Sequence, residues 1–292
     1  MFGCEMFAPL DGLTGNDAGD AATSATATEG DAGGSETGVA ESGTGPDSRG
    51  DDVTSPPRMD AGGKDASTSG VDAEDEGEAG DESTPLAPVA FVQVASATPG
   101  GGVHAVWATF AQPQSAGDMN VVAIGWNDTT ADIADVSDTS GNVYQLAVGP
   151  TQLSPDLTQA IYYAPNIAAA DAAANVVTVH FDTRANVVDL RVLEYSGLDP
   201  LAPFDGASDG SGNDPGPAAT GHVSTTAARS LLVGAGMTTD AFTTPGSGYT
   251  MRNVTDDGDM VEDRVVSTPG SYDAEAAVSS SCEWVIQVAA FH

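Results

Sequence analysis

The chain has 292 residues, of which 43 are acidic and only eight are basic, for a formal net charge of −35 at pH 7. A surface this negative repels DNA, RNA and anionic lipid, because phosphate binding needs clustered lysine and arginine side chains. The two cysteines, Cys4 and Cys282, are too few for a disulfide framework. No apolar run approaches the roughly 18 residues of a spanning helix. The composition therefore argues against nucleic-acid binding and predicts membrane contact only through an attached lipid.

Residues 1–87 are predicted to be a disordered acidic tether. They contain 20 acidic residues against three basic ones, and Phe2 and Phe7 are their only aromatic residues. Such a segment cannot bury enough apolar surface to offset the entropy lost on ordering its backbone. Its like charges repel one another and extend it, so we expect it to act as a spacer.

The first four residues, "MFGC", resemble the end of a bacterial lipobox, where a small residue precedes a cysteine that becomes lipidated. A secretory signal would then lie upstream of Met1. The low-complexity segment that follows is typical of lipoprotein tethers. We therefore expect an extracellular or outer cell-surface protein that is lipid-anchored at Cys4. The alternative is an incidental cysteine in a soluble tail.

Residues 88–292 are predicted to fold as a β-domain. Short runs of valine, alanine, isoleucine and tyrosine alternate here with glycine, proline, asparagine and aspartate. Many short strands with turns between them are typical of an all-β sandwich or barrel. The predicted strands are 89–96, 104–110, 119–126, 142–148, 158–164, 175–181, 187–195, 221–226, 230–238, 248–253, 258–266, 272–278 and 283–291. Residues 166–175 are predicted to be one helical turn or an alanine-rich loop.

The phase of the side chains predicts how these strands pack. In 175–181, Val177, Val179 and Phe181 share one face, and Thr178 and His180 share the other. The run "VVAIGW" is apolar on both faces, which indicates a central strand covered on both sides. The predicted fold is a two-sheet antiparallel β-sandwich with jelly-roll-like connectivity, because two packed sheets accommodate this many strands.

Several strings in this region resemble a group of uncharacterised bacterial extracellular modules. They are "GNVYQLAVGP", "IYYAPNIAAA", "LEYSGLDPLAPFD", "LLVGAGMTT", "GSGYTMR", "VEDRVV" and "WVIQVAAF". These modules are β-sandwich domains found alone or beside immunoglobulin-like and fibronectin-like repeats. The resemblance covers most of residues 88–292 and implies a surface or secreted module. It carries no catalytic residues that could be transferred.

Two carboxylates are candidates for acid/base chemistry. Glu194 is in phase with Leu190 and Val192, so it should point inward, where a lone charge costs several kcal/mol unless it has a partner. Arg191 or Arg264 could supply that partner. The functional interpretation pairs Glu194 with Glu262 or Asp263 for hydrolysis of a glycoside. The alternative is a structural ion pair.

Two acidic segments could bind calcium, which prefers several carboxylate and carbonyl oxygens on a flexible loop. They are "ADIADVSDTSGN" and "FDGASDGSGNDPG". The candidate ligands are Asp132, Asp135, Asp138, Asp205, Asp209 and Asp214. The alternative is ordinary turn chemistry, since neither segment has the spacing of an EF-hand.

Aromatic side chains could form a sugar-binding surface by stacking on pyranose rings. The candidates are Trp126, Tyr162, Tyr163 and Tyr249, with Trp107 and Tyr144 as further candidates. The alternative is that Trp107, Trp126 and Trp284 fill the core. The sequence thus predicts a non-enzymatic module that recognises extracellular polysaccharide or another surface protein. A glycan-active hydrolase and a purely structural envelope module remain alternatives.

Overall fold

The computed structural model describes residues 87–292, which contain 18 strands and no helix. The first half contains β1 (Ala90–Ala97), β2 (Val103–Thr109), β3 (Met119–Trp126), β4 (Ile133–Asp138), β5 (Gln145–Leu153), β6 (Leu157–Ala164), β7 (Val176–Ala185) and β8 (Asp189–Ser196). The second contains β9 (Phe204–Gly212), β10 (Ala218–Ala219), β11 (Val223–Thr225), β12 (Ser230–Thr238), β13 (Phe242–Thr244), β14 (Thr250–Val254), β15 (Met260–Val266), β16 (Gly270–Tyr272), β17 (Glu275–Val278) and β18 (Trp284–Phe291). The predicted tether and the lipidation of Cys4 lie outside the described residues.

The strands form two large sheets, each covered by smaller ones. The first large sheet has the order β1-β8-β3-β6-β5, and the first cover sheet has the order β2-β7-β4. The second large sheet has the order β14-β15-β12-β18-β9. Its cover consists of two short sheets, β10-β17-β13 and β11-β16. All named pairings are antiparallel, which confirms the prediction of an all-β antiparallel fold.

The two halves repeat one strand order. In the first half the first strand pairs with the last, β1 with β8, and β8 pairs in turn with β3. In the second half β9 pairs with β18, and β18 pairs with β12. The cover sheets nest in the same way, since β2-β7-β4 corresponds to β10-β17-β13. The jelly-roll connectivity stays a prediction, and this nesting agrees with it.

The sheets stack as four layers rather than the two that the sequence suggested. One apolar cluster, which includes Val106, Ile124 and Val179, fills the space between the first cover sheet and the first large sheet. A second joins the two large sheets, and a third lies between the second large sheet and its covers. Each large sheet is therefore buried on both faces, which explains why β3 and β12 are buried along their whole length.

The alternation of apolar and polar residues along a strand explains whether one or both of its faces are buried. In β7, Val177, Val179 and Phe181 are buried as predicted, while His180 is exposed on the opposite face. The sequence analysis did not predict β10 and β13, and it treated two further strands as acidic loops, β4 and β9. Both are edge strands with one partner each. Edge strands tolerate charged and small residues, so their composition resembles that of a turn.

Residues 166–175 form a loop, and residue 170 is joined to residue 114 by an isolated β-bridge. The alanine-rich loop was one of the two predicted alternatives. Within residues 87–292, no helix has the length and hydrophobicity to cross a membrane.

A buried arginine joins the two large sheets. Arg191 on β8 is completely buried, and its Nη1 donates hydrogen bonds of 2.8 Å to the carbonyl oxygens of Gly236 and Met260 in the second large sheet. Its Nε lies 2.9 Å from Oδ1 of Asp189. A Cβ at residue 125 would lie 3.3 Å from Nη2 of Arg191, so Gly125 leaves room for the guanidinium group.

A second carboxyl group adjoins this ion pair. Asp259 Oδ2 lies 3.9 Å from Arg191 Nη2, and Asp259 Oδ1 accepts a 2.9 Å hydrogen bond from the backbone of Thr238. Burial, together with the charge of Asp189, raises the pKa of Asp259 well above its usual range, although Arg191 opposes the shift. Asp189, at 2.9 Å from Arg191 Nε, is therefore the closer of the two carboxyl partners.

Replacing Arg191 by methionine should destabilise the protein by about 3–5 kcal/mol, because Asp189 would remain buried without its counter-ion. Urea denaturation of the full chain measures the loss. Arg252→Met is the matched control. Its guanidinium also binds a carboxylate, Asp263, at 2.7 Å, but it is partly exposed and should contribute less. Equal losses in the two variants would contradict the importance assigned to Arg191.

Candidate functional site

The outer side of the first cover sheet carries an exposed tryptophan. Trp107 on β2 is 63% exposed, although tryptophan usually buries most of its surface. Its neighbours Val106 and Ala108 point into the core, so alternation along the strand turns Trp107 outward. We define the Trp107 face by the outward side chains of β2, β7 and β4. These are Ala105, Trp107, Thr109, Thr178, His180, Asp135 and Ser137.

The register of the three strands places these residues in rows. Trp107 lies opposite Thr178, which lies opposite Ser137. In the next row, His180 lies opposite Asp135. Side chains directly opposite one another on a sheet have Cβ atoms about 4.5–5.5 Å apart, so each row forms a continuous strip. An aromatic ring and small polar groups therefore share one flat surface.

This face also brings together an aspartate, a histidine and a serine that were not predicted to form a group. Asp135 and His180 are exposed, and Ser137 is half-buried. Among the described residues, no hydrogen bond joins these three side chains, whereas a catalytic triad needs its base bonded to both partners. The three polar side chains lie on the same side of the sheet as Trp107 without bonding to one another.

The four predicted aromatic ligands lie elsewhere, and the prediction that they form the sugar-binding surface is not supported by their positions. Trp126 is completely buried, and its Nε1 donates to the carbonyl oxygen of Ala131 at 3.1 Å. Tyr163 is buried between the large sheets and stacks on Phe204 with ring centroids 5.6 Å apart. Tyr249 is buried in the third apolar cluster and Tyr162 is half-buried against the first. In "HAVWATF", Val106, Ala108 and Phe110 share the buried face, so the alternation of side chains along β2 was the signal that Trp107 points outward.

Glu194 points inward as predicted, but its partner is not an arginine. Its Oε2 accepts a 2.6 Å hydrogen bond from Nε2 of Gln93, and its Oε1 accepts a 3.4 Å bond from the backbone of Ser115. Arg191 is three residues away on the same strand and therefore points to the opposite face of the sheet. Arg264 lies on β15 in the other half. The expected Glu194–arginine pair is therefore wrong.

Glu194 does have a carboxyl neighbour that the sequence did not indicate. Asp118, just before β3, forms a side-chain hydrogen bond with Glu194. Burial, followed by the charge and hydrogen bond of Glu194, raises the pKa of Asp118 to about 6. Asp118 therefore keeps its proton at moderately acidic pH. They lie in contact, whereas the carboxyl groups of glycosidases stand about 5–9.5 Å apart on either side of the scissile bond.

Glu262, the other predicted catalytic residue, is completely buried in the second half. Its Oε2 accepts a 2.8 Å hydrogen bond from the backbone of Gly246, and its Oε1 has no hydrogen-bond partner among residues 87–292. Burial raises the pKa of Glu262 to about 7. It alternates with Val261, which faces the first large sheet, so Glu262 faces the outer covers.

The two glutamates therefore do not form a pair. Glu194 faces the core under the first cover sheet, and Glu262 faces the core under the second cover. Both large sheets lie between them, and stacked sheets are about 10 Å apart. Asp263, the alternative partner, binds Arg252 Nε at 2.7 Å instead. These distances correct the predicted acid/base pair.

The first predicted calcium segment is β4 together with the turn that follows it. Asp135 and Asp138 point to opposite faces of the strand, so they cannot share an ion. The oxygens of Asp138 already accept five hydrogen bonds, from the backbones of Ser140 and Asn142 and from the side chains of Asn142, Tyr144 and Asn175. Asp132 is exposed at the start of this segment.

The second segment is largely β9. Asp205 accepts hydrogen bonds of 2.6 Å from the backbone and hydroxyl of Thr226. Asp209 lies four residues further along the strand, roughly 13 Å away at the rise of an extended chain. Asp214 is exposed beyond the strand end. Within the part of the chain that the structure describes, no group of three or more histidine, cysteine, aspartate or glutamate residues could hold a metal ion.

Comparison with known proteins gives no relative on which a function could be based. No family model matches the chain, and no curated protein or solved structure matches it. The resemblance to bacterial extracellular modules therefore stays a prediction.

The Asp118–Glu194 contact should make stability depend on pH. Because the folded state raises the pKa of Asp118, it binds that proton more tightly than the unfolded chain does. Stability from this group is present below the ordinary pKa near 4 and is lost as the pH rises through about 6. Asp118→Asn should remove about 1–2 kcal/mol of this dependence, after allowing for solvent screening. Urea denaturation at pH 4 and pH 7.5 measures it.

Asp171→Asn is the control for this experiment, because it removes one negative charge from an exposed loop residue. The control should retain the pH dependence of the unaltered chain. If Asp118→Asn behaves in the same way as Asp171→Asn, then Asp118 is not the source of the pH dependence.

Proposed function

We propose that the chain is a non-enzymatic recognition module that binds extracellular polysaccharide through the Trp107 face. The observation that carries this proposal is the 63% exposure of Trp107 in a rigid sheet. A tryptophan supplies a large, amphipathic contact area, and residues of this type dominate the energetics of binding sites. An exposed ring of this size costs hydration free energy unless a partner covers it.

The rest of the face supports a sugar rather than an apolar ligand. Thr178 and Ser137 continue the row from Trp107, and His180 and Asp135 form the next row. A sugar ring has an apolar face that can stack on an indole, and its rim of hydroxyl groups both donates and accepts hydrogen bonds. Hydroxyl, imidazole and carboxylate groups beside the ring are suited to that rim.

The positions of the acidic residues favour binding over hydrolysis. Glu194 and Asp118 touch each other, and Glu262 is buried in the other half. Neither arrangement leaves two carboxyl groups on opposite sides of a bound glycosidic bond. Recognition without cleavage needs only the exposed face.

The proposed setting is the outer cell surface. There, lipidation of Cys4 would attach the chain to the membrane, and the acidic segment 1–87 would hold the folded domain away from it. A second surface protein is the other candidate ligand, and it would be favoured if no polysaccharide binds.

Trp107→Ala should weaken binding to polysaccharide at least tenfold, because the stacking surface is removed while the core beneath it stays intact. The full chain is screened against soluble and insoluble polysaccharides by affinity electrophoresis and pull-down, with calcium and again with EDTA. Reducing sugar is assayed in the same samples. We expect binding without release of reducing sugar.

Leu201→Ala is the control, because Leu201 is 87% exposed and lies on the loop between the two halves. It should bind as the unaltered chain does. Release of reducing sugar would instead support the hydrolase alternative, and Glu194→Gln would test it. Absence of binding to every polysaccharide would overturn the proposed function.

The proposed anchor has a test of its own. Mass spectrometry of the protein purified from its native membrane should find a diacylglyceryl group on Cys4. An unmodified N-terminal Met1 would contradict lipidation and leave the proposal for the Trp107 face unaffected.

A further inference from the structure

We infer that the Trp107 face selects an uncharged polysaccharide and rejects chains that carry carboxylate or sulfate groups. This inference rests on the proposed function and specifies its ligand. It is carried by the charges on and around the face and by the spacing of its polar groups.

The folded part of the chain is itself strongly acidic. Residues 1–87 hold 20 of the 43 acidic and three of the eight basic residues, so 23 acidic and five basic residues remain in 88–292. One of those five, Arg191, is completely buried and balanced by Asp189. An anionic polymer approaching this domain therefore meets net repulsion before it makes any contact.

The Trp107 face also carries negative charge close to the proposed ligand. Asp135 lies directly opposite His180, and the exposed Asp182 follows two residues later on the same side of β7. A hydrogen bond from the backbone of Asp132 lowers the pKa of Asp182, which keeps that group charged. Arg184, the next outward residue of β7, donates to the carbonyl oxygen of Gly102. Asp135 and Asp182 therefore outnumber Arg184 on this side of the sheet, and a uronate or sulfate here would meet a net negative charge.

The dimensions of the face suit a short stretch of a neutral chain. Neighbouring strands are about 4.8 Å apart, so the row from Trp107 to Ser137 spans roughly 10 Å. That length is close to a disaccharide. One sugar can stack on Trp107 while its neighbour forms hydrogen bonds with Thr178 and Ser137, and His180 and Asp135 reach hydroxyl groups at the side.

A cationic polysaccharide is attracted to the acidic domain as a whole, so its binding would not depend on one tryptophan. Such binding falls with salt, because exposed charges are screened beyond about 10 Å at 0.1 M ionic strength. Stacking and hydrogen bonding with uncharged sugars involve no counter-ion release. Salt and Trp107 therefore separate the two kinds of ligand.

The test measures binding of the full chain to three kinds of probe in 0.05 M and 0.5 M sodium chloride. The probes are neutral β-glucan and mannan, anionic alginate, and cationic chitosan. The unaltered chain is compared with Trp107→Ala, with Trp107→Tyr, which keeps a ring, and with Leu201→Ala as the control. Circular dichroism establishes that each variant folds.

We expect at least one neutral probe to bind with less than a twofold change between the two salt concentrations. Trp107→Ala should weaken that binding tenfold or more, and Trp107→Tyr should restore part of it. Binding to alginate that equals or exceeds neutral binding at low salt would overturn the inference while leaving polysaccharide recognition in place. Neutral binding that Trp107→Ala leaves unchanged would overturn the assignment to this face. Binding to chitosan alone, lost at high salt, would overturn it as well, and absence of all binding would overturn the proposed function itself.

Discussion

The guanidinium group of Arg191 is the point at which the two halves of the protein are aligned. A buried charge is tolerated only where its partners are in place, and here they come from both large sheets. Asp189 supplies the counter-ion from the same strand, while Gly236 and Met260, which pair with each other across β12 and β15, supply the carbonyl oxygens. Sliding one sheet along the other would break these bonds. The apolar residues around the arginine provide most of the burial, and the arginine joins β8 to β12 and β15.

The interface resembles that of an isologous dimer contained in one chain. Arg191 lies on the last strand of the first half, and Gln287 lies on the last strand of the second. Each reaches across to the opposite sheet, since Gln287 donates at 2.9 Å to the carbonyl oxygen of Gln159 and at 2.8 Å to the hydroxyl of Thr151. Both halves use their large sheets for this contact. Their cover sheets are consequently left on the outside of the molecule.

The two cover sheets differ in continuity, and the candidate site lies on the continuous one. The first cover is one sheet of three strands, whereas the second is divided into two shorter sheets. A continuous sheet holds Trp107, Thr178 and Ser137 in fixed rows, and a binding surface on such an element is better positioned than one on loops. The carboxyl pair of Asp118 and Glu194 lies beneath the same half, on the inner side, where it bonds to Gln93 and to the backbone of Ser115. The carboxyl pair thus lies on the inner side of this sandwich, and Trp107 lies on its outer face.

The amino-acid sequence was enough to predict the β-class, the location of most strands and the faces within each strand. Each predicted strand overlaps an observed one, because alternation of apolar and polar residues is a local property of the chain. Which of those faces are covered depends on the packing of the sheets. Gln287 and Arg191 are buried because a second sheet lies over them, and Trp107 is exposed because none does. Glu194 and Glu262 belong to different cores, since strand order depends on contacts between residues far apart in sequence. Alternation along a strand determines which side chains share a face. Pairing and packing of strands far apart in sequence determine which residues cover that face.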